Sequence, residues 1–225
     1  NPTGLAFPSS IGLVGGASDQ QAPTAGLSPF QNLVTNPNFA VNLPATVGWY
    51  VPLGMAEFFR ERGRDDVTEL DWWQSAKRGR WTITCLPSQH WSRRSIGDTN
   101  QTLWCAWLLD SGEYTYFFAG DTGYFDGFAA YGREFGPIDV ALLPIGAYEP
   151  RWFMKDQHMD PAEAYQAFRD LRAKTLVPIH WGTFDLTDEP LDLPPLELDR
   201  AVREAGGDAS QEASRQPLSF AISAS

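Results

Sequence analysis

The chain has 225 residues, 43% of them apolar and 13% aromatic, with a formal net charge of -11. This composition excludes a disordered chain and suffices for one substantial core, so a single domain over residues 1–225 is expected. The negative balance excludes nucleic acid as a partner and disfavours a strongly anionic membrane surface, since phosphate binding needs concentrated basic surface and the longest basic cluster is Lys77, Arg78 and Arg80.

Residues 1–47 form an atypical N-terminal segment, rich in Gly, Ser, Pro and Ala and nearly free of charge. Its apolar pieces, such as Ile11-Gly12-Leu13-Val14 and Asn32-Leu33-Val34-Thr35, suggest short strands set in loops. The start, Asn1-Pro2-Thr3-Gly4, lacks the charged-then-apolar pattern of a signal peptide, and the missing initial Met suggests a processed or excised piece. No apolar run approaches the ~20 residues of a membrane span. A location in the cytoplasm or at the periphery of a membrane is expected.

From Val47 the composition changes. Gly54 to Gly63 reads as a short amphipathic helix closed by glycine, and Val67 to Leu70 as a strand. Trp81 to Leu86, Leu103 to Leu109 and Tyr114 to Phe118 read as strands, the last two joined by the turn-forming Asp110-Ser111-Gly112-Glu113 as an antiparallel hairpin. Phe125 to Phe135 makes a short helix and Ile138 to Gly146 a β-rich run. Asp160-Pro161-Ala162-Glu163 has the logic of a helix start, with a capping carboxylate, Pro at the first helical position and Glu three residues past the cap. That helix runs through Leu171, a strand follows over Thr175 to His180, and a last helix covers Leu196 to Glu204. Cys85 and Cys105 lie in strand-like runs and read as buried thiols. The order predicts an α+β chain with a mixed sheet and helices packed outside.

The run Phe117-Phe118-Ala119-Gly120-Asp121-Thr122-Gly123-Tyr124 ends a buried strand on one carboxylate flanked by glycines, within reach of a metal or substrate. Taken alone, Asp121 is a turn residue. Two of the three histidines occur in the same kind of place, His90 after Leu86-Pro87-Ser88-Gln89 and His180 after Val177-Pro178-Ile179. Imidazole and carboxylate suit Zn²⁺, Fe or Mn²⁺, and a bridging carboxylate holds two ions close enough to share a hydroxide. Singly, each of these histidines reads as a core residue satisfied by backbone. His158, in Met154-Lys155-Asp156-Gln157-His158, reads by default as a surface loop residue. The Trp-rich segments read as core, and Trp72-Trp73 as a candidate interaction patch.

The residues from about Val51 to about Leu198 resemble the metallo-β-lactamase-fold hydrolases, nearest to the N-acyl-phosphatidylethanolamine phospholipase D family and its bacterial relatives. The matching pieces are Val51-Pro52-Leu53-Gly54, Glu69-Leu70-Asp71-Trp72-Trp73, Pro87-Ser88-Gln89-His90-Trp91, Phe118 to Tyr124, Pro144 to Met154, His158-Met159-Asp160-Pro161 and Ile179-His180-Trp181-Gly182-Thr183-Phe184. Residues 48–225 are thus the family-like part. The resemblance implies an αββα sandwich with a truncated or atypical N-terminal part and a two-zinc site at the strand ends. By position it makes His90 and His180 metal ligands, one for each ion, and Asp121 the catalytic carboxylate that bridges them. It places Gln157 and His158 beside the substrate phosphate, with Tyr148, Arg151 and Trp152 in the same wall.

The family takes its other ligands from a His-x-His-x-Asp-His motif ahead of the Val-Pro-Leu-Gly element, and a chain with three histidines cannot contain it. Thr35-Asn36-Pro37-Asn38-Phe39 resembles the Thr-Asp-Pro strand end upstream of that motif. With so few donors, one zinc ion or none is expected, because a catalytic zinc takes about three protein ligands. The implied activity is zinc-dependent hydrolysis of a lipid or small phosphodiester by metal-bound hydroxide, impaired in this chain. Two alternatives stay open: a non-catalytic relative that binds a lipid or partner, and a hydrolase of another ester, lactone or sugar phosphate. Peripheral contact with a membrane and a homodimer are compatible with the resemblance.

Overall fold

A computed structural model describes residues 12–14, 40–42 and 48–206. The Asn32 to Thr35 strand and the Thr35 to Phe39 likeness lie outside those residues. Two sheets form. The smaller has the order β1 (Gly12–Val14), β2 (Ala40–Asn42), β3 (Trp49–Pro52), β4 (Val67–Leu70), with β3 and β4 parallel across helix α1 (Ala56–Arg60). The larger has the order β10 (Thr175–Ile179), β9 (Val140–Pro144), β8 (Thr115–Phe118), β7 (Ala106–Asp110), β6 (Trp81–Leu86), β5 (Ser75–Arg78). Strands β5 to β8 are antiparallel neighbours, and β8, β9 and β10 are parallel. The parallel crossovers carry α2 (Gly127–Glu134), the single turn α3 (Arg151–Met154) and α4 (Pro161–Asp170), and α5 (Leu193–Glu204) follows β10.

The two-residue period of a strand separates the layers. Along β7, Ala106 and Leu108 face one way and Trp107 and Leu109 the other; along β9, Ala141 and Leu143 oppose Val140 and Leu142. The first set joins Phe117, Phe128, Tyr131, Tyr165, Phe168, Leu198 and Val202 in a core between the large sheet and α2, α4 and α5. The second set packs with Tyr50 and Leu70 between the two sheets. A thin third layer, Val51, Met55 and Phe59, seats α1 on the small sheet. Helix, sheet, sheet and helix make the expected αββα sandwich.

The expected hairpin is present, with Leu109 paired to Tyr116 and Ser111 N–H bonded to the Tyr114 carbonyl at 3.0 Å. The helix start at Asp160 is a complete capping box. Cys85 and Cys105 are free and buried. Four elements escape the sequence reading: β2, β3, β5 and α3. The Leu103 strand begins only at Ala106, and the last helix begins three residues earlier, at Leu193.

Candidate metal centre at the strand ends

Two antiparallel steps, β6 to β7 and β7 to β8, restore strand direction, so β6, β8, β9 and β10 all point the same way. Their C-terminal ends share one edge of the large sheet. Those ends deliver His90, Asp121, the Gly146-Ala147 turn and His180. Gly120 turns the chain at φ 65°, where a side chain is disfavoured, and Asp121 follows it. His180 takes φ 61° itself, an uncommon conformation for a non-glycine residue.

The Asp121 and His180 side chains are buried, with His180 Nε2 3.2 Å from Asp121 Oδ1. Burial alone would raise the Asp121 pKa, but the His180 charge and hydrogen bond hold it below the usual carboxylate value. Burial likewise opposes the His180 imidazolium, and the Asp121 carboxylate outweighs it, so the His180 pKa is raised. The pair is an embedded carboxylate–imidazole unit. The His158 ring lies 5.3 Å from the His180 ring and 5.3 Å from the His90 ring, centroid to centroid. His158 therefore belongs to the cluster and is not the surface residue its polar neighbours suggested. Burial, then the charge of His180, pushes its imidazole down to about 3, so it is neutral at physiological pH. His90 Nδ1 lies 2.8 Å from the Trp91 carbonyl; donation there leaves Nε2 with its lone pair.

A lace of backbone bonds sets the histidine loops. Gln89 N–H donates to Thr122 Oγ1 at 2.9 Å, Gly123 N–H donates to the Gln89 carbonyl at 2.9 Å, and Met159 N–H donates to the Thr122 carbonyl at 3.0 Å. Gln89 Nε2 adds a bond to the Asp156 carbonyl at 3.0 Å. Thr122, fully buried, is thus the knot that ties the His90 and His158 loops to Asp121.

The remaining candidates divide. Tyr148 is buried and donates its hydroxyl to Glu197 at 2.6 Å. Arg151 donates to Glu163 at 2.6 Å and to the His158 carbonyl at 2.9 Å, and sits 3.5 Å from Asp160, so its guanidinium holds the His158 loop in place. Gln157 is half-buried, its N–H on the Met154 carbonyl at 2.9 Å. Trp152 is 86% exposed and stands over Phe153, outside the cluster. Trp73 is exposed, whereas Trp72 packs edge-on against Trp104. One residue the sequence reading passed over is Glu189: buried, it accepts the N–H groups of Ala147, Tyr148 and Glu149 at 2.6, 3.3 and 3.1 Å. Only its acidic character in a loop was visible in sequence, and that is no signal.

Nδ1 of His158 and Nδ1 of His180 are buried without a hydrogen-bond partner. Such orphaned nitrogens each cost roughly 1–3 kcal/mol and mark a place built for something else to bind. As a metal site, however, the donors fall short. Among the described residues no group of three or more His, Cys, Asp or Glu side chains is placed to hold an ion, and the two atoms suited to one ion, Asp121 Oδ1 and His180 Nε2, face each other. The residues present do not fit a complete two-metal group.

The model of the beta-lactamase superfamily domain matches residues 24–181, and the chain belongs to that superfamily of metallo-β-lactamase-fold hydrolases. Within it, the chain is 38% identical over 177 residues to N-acyl-phosphatidylethanolamine-hydrolyzing phospholipase D 1 of Caenorhabditis elegans, covering 74% of this chain and 50% of that protein. It is 40% identical over 166 residues to the mitochondrial N-acyl-phosphatidylethanolamine-hydrolyzing phospholipase D of Saccharomyces cerevisiae, covering 71% of this chain and 35% of that protein. The chain thus spans half the length or less of these curated relatives. Among solved structures it is similar to a metallo hydrolase of the archaeon Ignicoccus hospitalis (TM-score 0.55, 22% identity, 76% of this chain and 65% of that one). It is also similar to a diiron β-hydroxylase of Streptomyces venezuelae (TM-score 0.53, 19% identity, 73% of this chain and 36% of that one). At these identities the likeness is one of fold. No helix among the described residues is long and apolar enough to cross a membrane.

Proposed function

We propose that the strand-end cluster is the phosphodiester-hydrolysing site of a phospholipase D-like enzyme acting on N-acyl-phosphatidylethanolamine-type lipids, slow with the donors this chain carries. The observation that carries the reading is the convergence of His90, Asp121, His158 and His180 at one sheet edge, two of the rings with orphaned buried nitrogens. The relatives supply the substrate class. No step is drawn through a metal with this donor set. What the chain's own residues supply is a proton held between Asp121 and His180, a neutral His158 able to accept a hydrogen bond at Nδ1 and donate one at Nε2, or the reverse, and a loop wall fixed by Arg151.

The incomplete donor set favours one other reading, a non-catalytic relative that binds a lipid or partner at this edge. Turnover of an N-acyl-phosphatidylethanolamine in Zn²⁺-supplemented buffer separates the two. The enzyme reading expects measurable product from the wild-type chain and a fall of about 100-fold or more in Asp121→Ala. Equal rates in the two proteins would leave this site without a catalytic role.

A further inference from the structure

The turn after β9 is held in a conformation that its own sequence does not favour. Ala147 sits at φ 61°, a region that side-chain-bearing residues rarely occupy and that glycine takes freely. Just before it, Gly146 approaches the far strand end so closely that a Cβ built on it would lie 2.2 Å from the His180 carbonyl oxygen. No other residue type fits between the turn and His180. The turn is therefore pressed against the backbone of His180, which has the same left-handed φ.

The next three N–H groups, of Ala147, Tyr148 and Glu149, all end on the buried carboxylate of Glu189. Glu189 comes from the loop after β10, some forty residues away in sequence, and the cavity beside His180 is lined from both sides, by Gly146 and Ala147 and by Thr183, Phe184 and Leu191. A carboxylate accepting several N–H bonds is among the stronger polar contacts a fold can make. We infer that Glu189 is a positioning residue: its carboxylate latches the left-handed Ala147 turn and so fixes Gly146 against His180, joining the two walls of the cavity beside the proposed site. This inference rests on the hydrolase reading only for its consequence in turnover.

Glu189→Gln is nearly isosteric yet cannot serve all three donors. Its one oxygen can face Ala147 and Tyr148 or face Glu149, and its amide N–H₂ then meets an N–H at the other position. Hydrogen exchange of the full chain reads the latch without any assay of activity. In Glu189→Gln the Ala147, Tyr148 and Glu149 amides exchange about tenfold faster or more, while the β9 amides keep their protection. Backbone resonances of Gly146 and His180 shift together. Unchanged exchange at the three amides, or equal acceleration throughout β9, overturns the latch. Ala147→Gly, which keeps the carboxylate and removes the strain, is the second variant and folds even where Glu189→Gln does not. It keeps the wild-type resonances of Gly146 and His180 and raises the Tm; a lowered Tm with shifted His180 resonances likewise overturns the inference. In turnover of N-acyl-phosphatidylethanolamine, Glu189→Gln lowers kcat about tenfold with KM little changed. A wild-type chain without turnover ends the hydrolase reading and leaves the exchange result to decide the latch.

Discussion

The two ends of the large sheet each carry an aspartate, half-buried Asp139 at one and buried Asp121 at the other, and they treat it in opposite ways. At the N-terminal edge Asp139 accepts from Lys174 Nζ at 2.7 Å, Thr115 N–H at 2.8 Å and Thr115 Oγ1 at 3.1 Å. At the C-terminal edge Asp121 has the His180 ring at 3.2 Å, among histidines with unpartnered buried nitrogens and next to backbone at positive φ. One end satisfies its polar groups and closes on itself. The other leaves donors and acceptors waiting and keeps strained backbone in place, the pattern that functional sites show.

The two ends of the sheet are expected to differ most in turnover. Asp121→Ala is expected to abolish most of any phosphodiesterase rate, whereas Asp139→Asn leaves kcat within about twofold, because Asp139 sits at the far edge of the sheet. Loss of rate in both would mean that the two ends are not functionally separate.

Next in size is the packing between the ends. Phe117, fully buried against Phe128 and Tyr131, is expected to cost about 3–5 kcal/mol on change to Ala in chemical denaturation. Phe59, in the thin layer under α1, should fall at or below about 3 kcal/mol. Equal losses would show the small sheet to be as well packed as the large one.

The smaller effects sharpen the contrast. Burial opposes the Asp139 charge, but the Lys174 and Thr115 hydrogen bonds outweigh it and hold the Asp139 pKa below its ordinary 3.8. A depressed carboxylate stabilises the fold fully above its unfolded value, and that stability is lost as the pH falls below about 3.8 toward the folded value. Asp139→Asn should cost about 1–3 kcal/mol at neutral pH and flatten the acid limb of the stability curve. Asp121→Asn should also lose stability at neutral pH, because the His180 charge and hydrogen bond outweigh the burial of that carboxylate and the buried imidazole loses its charged partner. An acid limb left unchanged in Asp139→Asn would remove the stabilising role given to that carboxylate.

Much of this was legible in the sequence. Apolar runs that stop on Asp121 and His180 announced two strand ends, and the Asp160-Pro161-Ala162-Glu163 start announced α4 with its capping box. The fold class followed from the order of elements and the family resemblance. Strand β5 was invisible because Ser75-Ala76-Lys77-Arg78 has little β preference and lies at the sheet edge, where basic residues discourage further pairing. The polar Lys155, Asp156 and Gln157 make His158 read as a surface loop residue by its neighbours, and only the family resemblance put it at the site; Thr122 and Arg151 draw its loop inward. Glu189 could not be found at all: its partners lie forty or more residues earlier, and no local pattern links them.

The strand-end cluster is proposed to lack the donors for a complete two-metal centre. Zinc analysis of the purified chain after equilibration with excess Zn²⁺ and removal of free ion tests it most directly. At most one equivalent is expected, weakly held and lost in Asp121→Ala. Two tightly held equivalents, retained through dialysis against a chelator, would contradict it.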